Sequence, residues 1–270
     1  MSDPADFTIL APVHGGDDPA HFELAMASVA QGGLTPADFV ICQDGDLPKA
    51  LQSAVTRLVR SGRGRVIRNA GPPGLAPNLN CAMISVRTAW VARVDADDIN
   101  LPGRFAAQVD FLRSHPDVAV LGGRIVEFAP DGKRRRKPMP LSHDAIVRQA
   151  CWRNPINHMT AFFRADAFRA CGGYPPIPFK EDYALWLTMI GRGYRLANLD
   201  QDLVEARLGE GFYGRRAGVH NVTSEYALYK LKRDIPAIGA AAAGAAWLAR
   251  TGALAFEGPA RLLYQRALRR

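Results

Sequence analysis

Cysteine is scarce and scattered. Cys42, Cys81, Cys151 and Cys171 stand far apart with no Cys-x-x-Cys pair, which argues against a zinc ribbon or a disulfide scaffold and fits a reducing, cytosolic compartment. The glycine fingerprints of nucleotide enzymes are also missing. The first strand-like run leads into Pro12-Val-His-Gly-Gly, and neither G-x-G-x-x-G nor G-x-x-x-x-G-K-[ST] nor G-x-S-x-G occurs. Dinucleotide-dependent dehydrogenation, P-loop phosphotransfer and α/β-hydrolase chemistry therefore lose their usual warrant. Long apolar runs are absent too. The longest uncharged stretch, Ile235 to Ala249, is mostly Ala and Gly, short of the ~20 apolar residues a membrane span needs. The start, MSDPADFTIL, carries acids where a signal peptide needs bases. Acids are outnumbered overall: 26 Asp and Glu against 34 Lys and Arg give a net charge of +8. Nucleic acid, phosphorylated metabolites and anionic lipid all qualify as partners on that ground. The 270 residues are 48% apolar and 22% charged, ordinary for a globular protein and unlike disordered, collagenous or coiled-coil chains.

The pattern alternates. Short apolar runs at Phe7–Ala11 (ended by Pro12), Phe39–Cys42, Val66–Ile67 and Trp90–Val94 read as strands. Between them, residues 20–31, 47–60 and 78–88 carry helical periodicity. This is the signature of an α/β fold, a mostly parallel sheet with helices on both faces. Further on, 105–114 reads as a helix, Val118–Leu121 as a strand, 142–150 as a short helix, 159–163 as a strand and 182–190 as a helix. Residues 1–230 read as one domain and 231–270 as a helical, basic and apolar tail. The run Lys133-Arg-Arg-Arg-Lys137 reads as a solvated hairpin tip or, alternatively, as a phosphate or nucleic-acid patch.

Polar residues collect at one place in this pattern. Asp44, Asn69, Asp95 and Asp97 each follow the C-terminal end of a strand, the edge at which open α/β sheets bind ligands. The densest cluster is Arg93-Val-Asp95-Ala96-Asp97-Asp98. Carboxylates so close repel unless a cation sits among them, and hard cations such as Mg²⁺ or Mn²⁺ take oxygen ligands and share phosphate oxygens. The competing structural role is capping of the next helix by Asp98 or Asn100. A second pair, Glu181-Asp182, opens an apolar helix. It can serve the helix dipole or, beside a metal site, supply a general base.

In order and spacing, these elements resemble a family 2 glycosyltransferase of the GT-A fold, of the bacterial cell-surface polysaccharide type. The resemblance runs from about Phe7 to Leu208. It rests on Val40-Ile-Cys-Gln-Asp-Gly45, Arg68 to Asn80, Asp95-Ala-Asp-Asp98, Leu101-Pro-Gly-Arg104, Gly172-Gly173-Tyr174 and Glu181-Asp182-Tyr-Ala-Leu-Trp186. It implies a GT-A, Rossmann-like sheet. It also implies inverting transfer of a sugar from a UDP- or dTDP-type donor to a hydroxyl of a surface glycan or lipid-linked oligosaccharide. Donor contacts fall to Pro12, Gln43, Asp44, Arg68, Asn80, Asp95, Ala96 and Asp97, with Asp44 on the base. Asp95 and Asp97 would hold Mn²⁺ or Mg²⁺, and Asp182 would be the base with Glu181 beside it. His158 and Trp186 would line the acceptor side. Pro77 departs from the basic or small residue common there, so Arg68, His158 or Arg104 would replace its diphosphate contact. His220, near Arg215 and Arg216, is a candidate for a late contact to metal or diphosphate.

Two other classes fit parts of the sequence. A nucleotidyltransferase would want a basic, Gly-rich loop after strand one, where Asp17 and Asp18 stand instead. A basic, non-enzymatic nucleic-acid or membrane module fits the charge, but aromatics do not interleave with the bases, and no nucleic-acid partner is expected. The mixture of Arg250, Arg261, Arg266, Arg269 and Arg270 with Leu262, Leu263, Tyr264 and Leu268 reads either as an interfacial segment on anionic lipid or as a packed helix. The expected location is the cytoplasm or the cytoplasmic face of the inner membrane.

Overall fold

The computed structural model describes residues 3–62, 64–128, 132–207 and 219–252. Its first half is the expected alternation: β1 (Phe7–His14), α1 (Pro19–Val29), β2 (Asp38–Asp44), α2 (Lys49–Arg60), β3 (Arg65–Asn69), α3 (Leu75–Ile84) and β4 (Trp90–Arg93). The strands β3-β2-β1-β4 lie side by side and parallel. Alternate residues of β1 and β2 feed opposite faces of the sheet, as a strand's two-residue period requires. Leu10, Val40 and Cys42 join the core under α3, whereas Ile9, Ala11, Phe39 and Ile41 join the core under α1 and α2. Helix α1 starts where Asp18 accepts hydrogen bonds from the Ala20 and His21 amides, both 2.9 Å, with Pro19 in its first turn.

Strand β1 does not end at Pro12 but continues to His14, with Pro12 opposite Cys42 of β2. The ladder to β4 has already stopped at Leu10 opposite Arg93. A proline there removes no hydrogen bond on the β4 side, and the strand runs on against β2 alone.

The second half comprises β5 (Ile99–Asn100), α4 (Arg104–Ser114), β6 (Val118–Phe128), β7 (Arg134–Lys137), α5 (His143–Ala150), β8 (Phe162–Arg164), α6 (Ala165–Ala170), α7 (Glu181–Gly191), β9 (Arg195–Arg207), α8 (Val219–Arg233) and α9 (Gly239–Gly252). The sheet continues as β4-β8-β6-β9-β5, with β7 beside β6. Here the ladders are mixed: β8 is antiparallel to both β4 and β6, and β9 is parallel to β6. The strand expected over 159–163 divides into a 3-10 turn, His158–Thr160, and β8. The basic run is strand β7. Its Arg134 pairs with Glu205 and its Arg136 with Asp202 at 2.8 Å, so both charges face acids of β9.

Helix α8 runs through residue 230 without a break and places Leu228 in the core that also holds α7. No helix among the described residues is long and apolar enough to cross a membrane. The basic and apolar segment beyond Gly252, together with Arg215 and Arg216, lies outside the described residues, as does the side chain of His220.

Candidate active site

The parallel register brings the strand ends together. His14 of β1 is level with Asp44 of β2, and Asp44 with Asn69 of β3. Asp44 is held by the loop before α3: its carboxylate accepts the Gly74 amide at 2.7 Å. Asn69 shapes that loop from its other end, bonding Pro72 O at 2.7 Å and the Gly71 amide at 3.0 Å. Gln43 is fully buried; its amide N–H bonds Gly45 O at 2.9 Å and its carbonyl oxygen has no partner. Arg68 is exposed on β3, 3.5 Å from Gln52. Pro12, Gln43, Asp44 and Arg68 therefore stand toward the C-terminal ends of three adjacent parallel strands.

Asn80 serves a different purpose. Its side-chain N–H bonds Tyr174 O and its oxygen accepts the Tyr174 amide, both at 2.9 Å. Both ends of its amide are thereby used to clamp α3 to the turn Gly172-Gly173-Tyr174.

Beyond β4 lies the acidic loop. Arg93 is a charged residue in a strand buried at every position, and it forms an ion pair with Asp95. Burial works against its charge, yet the adjacent Asp95 keeps its pKa raised. Asp97 is only partly buried. Its pKa is pushed up to about 6 by desolvation and then by the negative charges of Asp95 and Asp17. Asp17, at the end of the β1 turn, accepts the His14 amide at 2.8 Å and is likewise raised, first by burial. Ala96, between Asp95 and Asp97 in sequence, is buried. Asp98 is turned away: it is buried and accepts the Arg207 amide at 2.8 Å, fixing the end of β9.

Neither Asp98 nor Asn100 caps α4, whose first residue follows Gly103 with no side-chain cap. Asn100 instead bonds Ser28 of α1 through both its amide and its side chain, each at 2.9 Å. Arg104 is 1% exposed. Its guanidinium bonds Asn100, Gln108 (3.2 Å) and Arg93 O (2.8 Å). Every one of these partners lies beneath the loop, so Arg104 supports the acidic loop from below and does not take the diphosphate contact expected as a replacement at Pro77.

The third component is the start of α7. Asp182 accepts the Asn154 side chain at 2.6 Å and the Tyr183 amide at 2.7 Å. Burial raises its pKa, and these two bonds, with Lys180 and Arg93, pull the other way. Glu181 is pushed up to about 7, by burial and then by the charge of Asp182. Behind this pair, His158 Nε2 is 2.9 Å from the Tyr174 hydroxyl and packs edge-on to Trp186. Burial and Arg93 hold His158 well below its ordinary pKa, so it is neutral. Trp186 is fully buried in the core and offers no ring face to an acceptor; its contribution is to pack against His158 and Phe163.

The residues fit a divalent cation in part. Asp95 and Asp97 are hard oxygen donors whose mutual repulsion a cation would relieve. Among the described residues, however, no group of three His, Cys, Asp or Glu side chains converges as a metal cage. Such an ion would need oxygens from water or ligand. The sequence assigns no role in the site to Asp17, Arg93 or Asn154. Arg93 had a signal, a lone charge inside the apolar run Trp90–Val94. The other two are brought in only by the fold.

The sequence model described as Glycosyl transferase family 2 matches residues 19–172. The chain is 33% identical over 233 residues to the "Amylovoran biosynthesis glycosyltransferase AmsE" of Erwinia amylovora, covering 86% of this chain and 88% of that protein. It is 29% identical over 225 residues to the "UDP-Gal:alpha-D-GlcNAc-diphosphoundecaprenol beta-1,3-galactosyltransferase" of Escherichia coli, covering 83% and 82%. Among solved structures, the mannosyltransferase PcManGT from Pyrobaculum calidifontis, in complex with GDP-Man and Mn²⁺, is similar with a TM-score of 0.67 and 18% identity over 99% of this chain and 81% of that one. S. aureus TarS 1-349 in complex with UDP-GlcNAc gives 0.67 and 16% over 97% and 80%. At those identities the likeness is one of fold.

Proposed function

Because the chain belongs to the family 2 glycosyltransferases, and is therefore an enzyme that transfers sugars, we propose that it moves a sugar from a nucleotide diphosphate-sugar to a hydroxyl of a surface glycan or lipid-linked oligosaccharide, with inversion. The observation that carries this reading is that Asp44 and the Asp95–Asp97 loop stand at the C-terminal ends of strands in the parallel set β2-β1-β4, while the charge of Arg93 at the end of β4 acts on Asp97 and on the Glu181–Asp182 pair. The E. coli relative's name includes a lipid diphosphate acceptor and a UDP-sugar donor, which supports the acceptor class and a uridine donor.

In this reading Asp44 and the buried end of β2 receive the nucleoside, and Asp95 and Asp97 face the diphosphate. A Mn²⁺ or Mg²⁺ ion held by these two carboxylates would offset charge on the departing diphosphate. Asp182 takes the acceptor's proton as its oxygen attacks the anomeric carbon, and one such displacement inverts that carbon. Asn154 and the Tyr183 amide fix the orientation of the carboxylate and favour its ionised form. Glu181 beside it is pushed up to about 7, by burial and then by the charge of Asp182.

Asp182→Asn retains size and the Tyr183 contact but loses the proton acceptor. Turnover is expected to fall by about 10²–10⁴ while donor affinity, read by calorimetry with Mn²⁺, stays within a few-fold. Near-normal turnover in this variant with an inactive Glu181→Gln would transfer the role to Glu181. Normal turnover in both would reject the mechanism.

A further inference from the structure

The segment leading into α7 holds a feature that the transfer chemistry does not use. Phe179 is the only non-glycine residue with positive φ among the described residues, at 60°. For a bulky side chain this is a strained conformation, normally left to Gly or Asn. Strain of this kind persists only where the surroundings hold it, and it collects at binding and catalytic sites.

The surroundings here do hold it, from both sides. Ser224 of α8 donates to Pro178 O at 3.2 Å. Lys180, the residue before α7, pairs at 3.2 Å with Glu225 of α8, which is 4% exposed and also binds Arg250 of α9 at 2.7 Å. The Lys180 carbonyl then accepts the Ala184 amide at 2.8 Å, starting α7. The outcome is unusual for an aromatic side chain: Phe179 stays 58% exposed although both of its neighbours are tied down. Hydrophobic collapse does not explain the strain, since the ring gains little burial from it. The strained backbone instead directs an apolar ring outward, two residues before Glu181 and three before the proposed base.

We propose that Phe179 is a stacking platform for the apolar C–H face of a pyranose ring in the acceptor, held rigid by α8 and α9. The proposal rests on the transferase reading above and deepens its acceptor side. A flat, exposed ring three residues before the proposed base can recognise a sugar's apolar face without hydrogen bonds. It would set the acceptor hydroxyl at a fixed height relative to Asp182.

The test uses the full chain with two substitutions, Phe179→Gly and Phe179→Trp. Binding of methyl β-glycosides of glucose, galactose and N-acetylglucosamine is read by saturation transfer from protein to the pyranose C–H protons. Donor binding is read separately, as the thermal shift with UDP-glucose, UDP-galactose, UDP-N-acetylglucosamine and GDP-mannose plus Mn²⁺. Phe179→Gly is expected to melt about 2–4 °C higher because the strain is gone, to keep the donor shift, and to lose saturation transfer at least five-fold. Phe179→Trp is expected to retain it. Saturation transfer that is undiminished in Phe179→Gly, or absent from the wild type for all three glycosides, overturns the proposal. A wild type with no donor shift would count against the transferase reading, and the glycoside arm would still decide the role of Phe179.

Discussion

At the scale of single residues, the same side-chain type takes opposite roles according to its depth. Four aspartates lie in or beside the acidic loop. Asp95 and Asp97 reach the surface, Asp17 joins them from β1, and Asp98 turns inward to bond the Arg207 amide at 2.8 Å. The sequence shows the cluster but not this division, because one residue's step along an irregular loop decides which way each carboxylate points. Arg104 is similar: the motif Leu101-Pro-Gly-Arg104 is plain in the sequence, and its burial is set by Asn100, Gln108 and the Arg93 carbonyl. Glu181 gives a test of such environmental control. Its pKa rises from an ordinary 4.5 to about 7 in the folded protein, so the native state binds its proton more tightly than the unfolded chain. This contribution to stability is complete below about pH 4.5 and is lost as pH climbs through about 7. Denaturant titrations should show Glu181→Gln gaining about 3 kcal/mol relative to wild type between pH 4.5 and pH 8. Parallel stability profiles for the two proteins would show that Glu181 does not carry the raised pKa.

At the scale of elements, the parallel half of the sheet was legible and the mixed half only in part: the start of β6 and part of β8 could be read, whereas β5, β7 and β9 could not. Strands β1, β2 and β4 are buried apolar runs between helices with clear periodicity, and local sequence suffices to place them. Strand β9 is not of that kind. Its Arg195-Leu-Ala-Asn-Leu-Asp-Gln-Asp-Leu-Val-Glu-Ala-Arg207 has broken alternation, and its ladder with β6 shifts register between Gly123 and Ile125. Strand β7 is exposed at all four residues, so nothing apolar marks it. Its ladder is with Ile125–Phe128 of β6, and its Arg134 and Arg136 meet acids of β9 some 70 residues away. The short elements around β5 depend on a buried polar link of the same long-range kind. Arg104 joins β4, β5 and α4, and Gln108 carries the connection to Thr160 O at 2.9 Å. Arg104→Leu fills similar space but leaves Asn100, Gln108 and the Arg93 carbonyl short of a donor. The expected cost is about 3–5 kcal/mol, a fall in Tm of roughly 6–20 °C, measured by calorimetry. A change under about 1 kcal/mol would show that the network is not a support for the loop.

At the scale of the whole molecule, charge is distributed unevenly. The chain carries +8 overall, yet Asp17, Asp95 and Asp97 are gathered at the ends of β1 and β4, with Arg93 as their buried countercharge. Folding brings these like charges together, and desolvation adds to their cost, so the site is held by the rest of the fold rather than contributing to it. A divalent cation bound between Asp95 and Asp97 would relieve that repulsion only in the native state, where the two carboxylates are juxtaposed. Any ligand specific to the native state stabilises it by RT ln(1 + [L]/Kd), about 2.7 kcal/mol at a hundred-fold excess over Kd. For a chain of this size that is a Tm rise of about 5–10 °C. Mn²⁺ with UDP should therefore raise the melting temperature of the wild type by such an amount, and a chelator should reverse it. Asp97→Asn removes one charge from the cluster and one hard donor from the site. Without metal it should melt at or above the wild-type temperature, because repulsion falls. With Mn²⁺ and UDP its rise should be less than half that of the wild type. An equal rise in both proteins would separate the metal from Asp97 and require another set of oxygen donors for it.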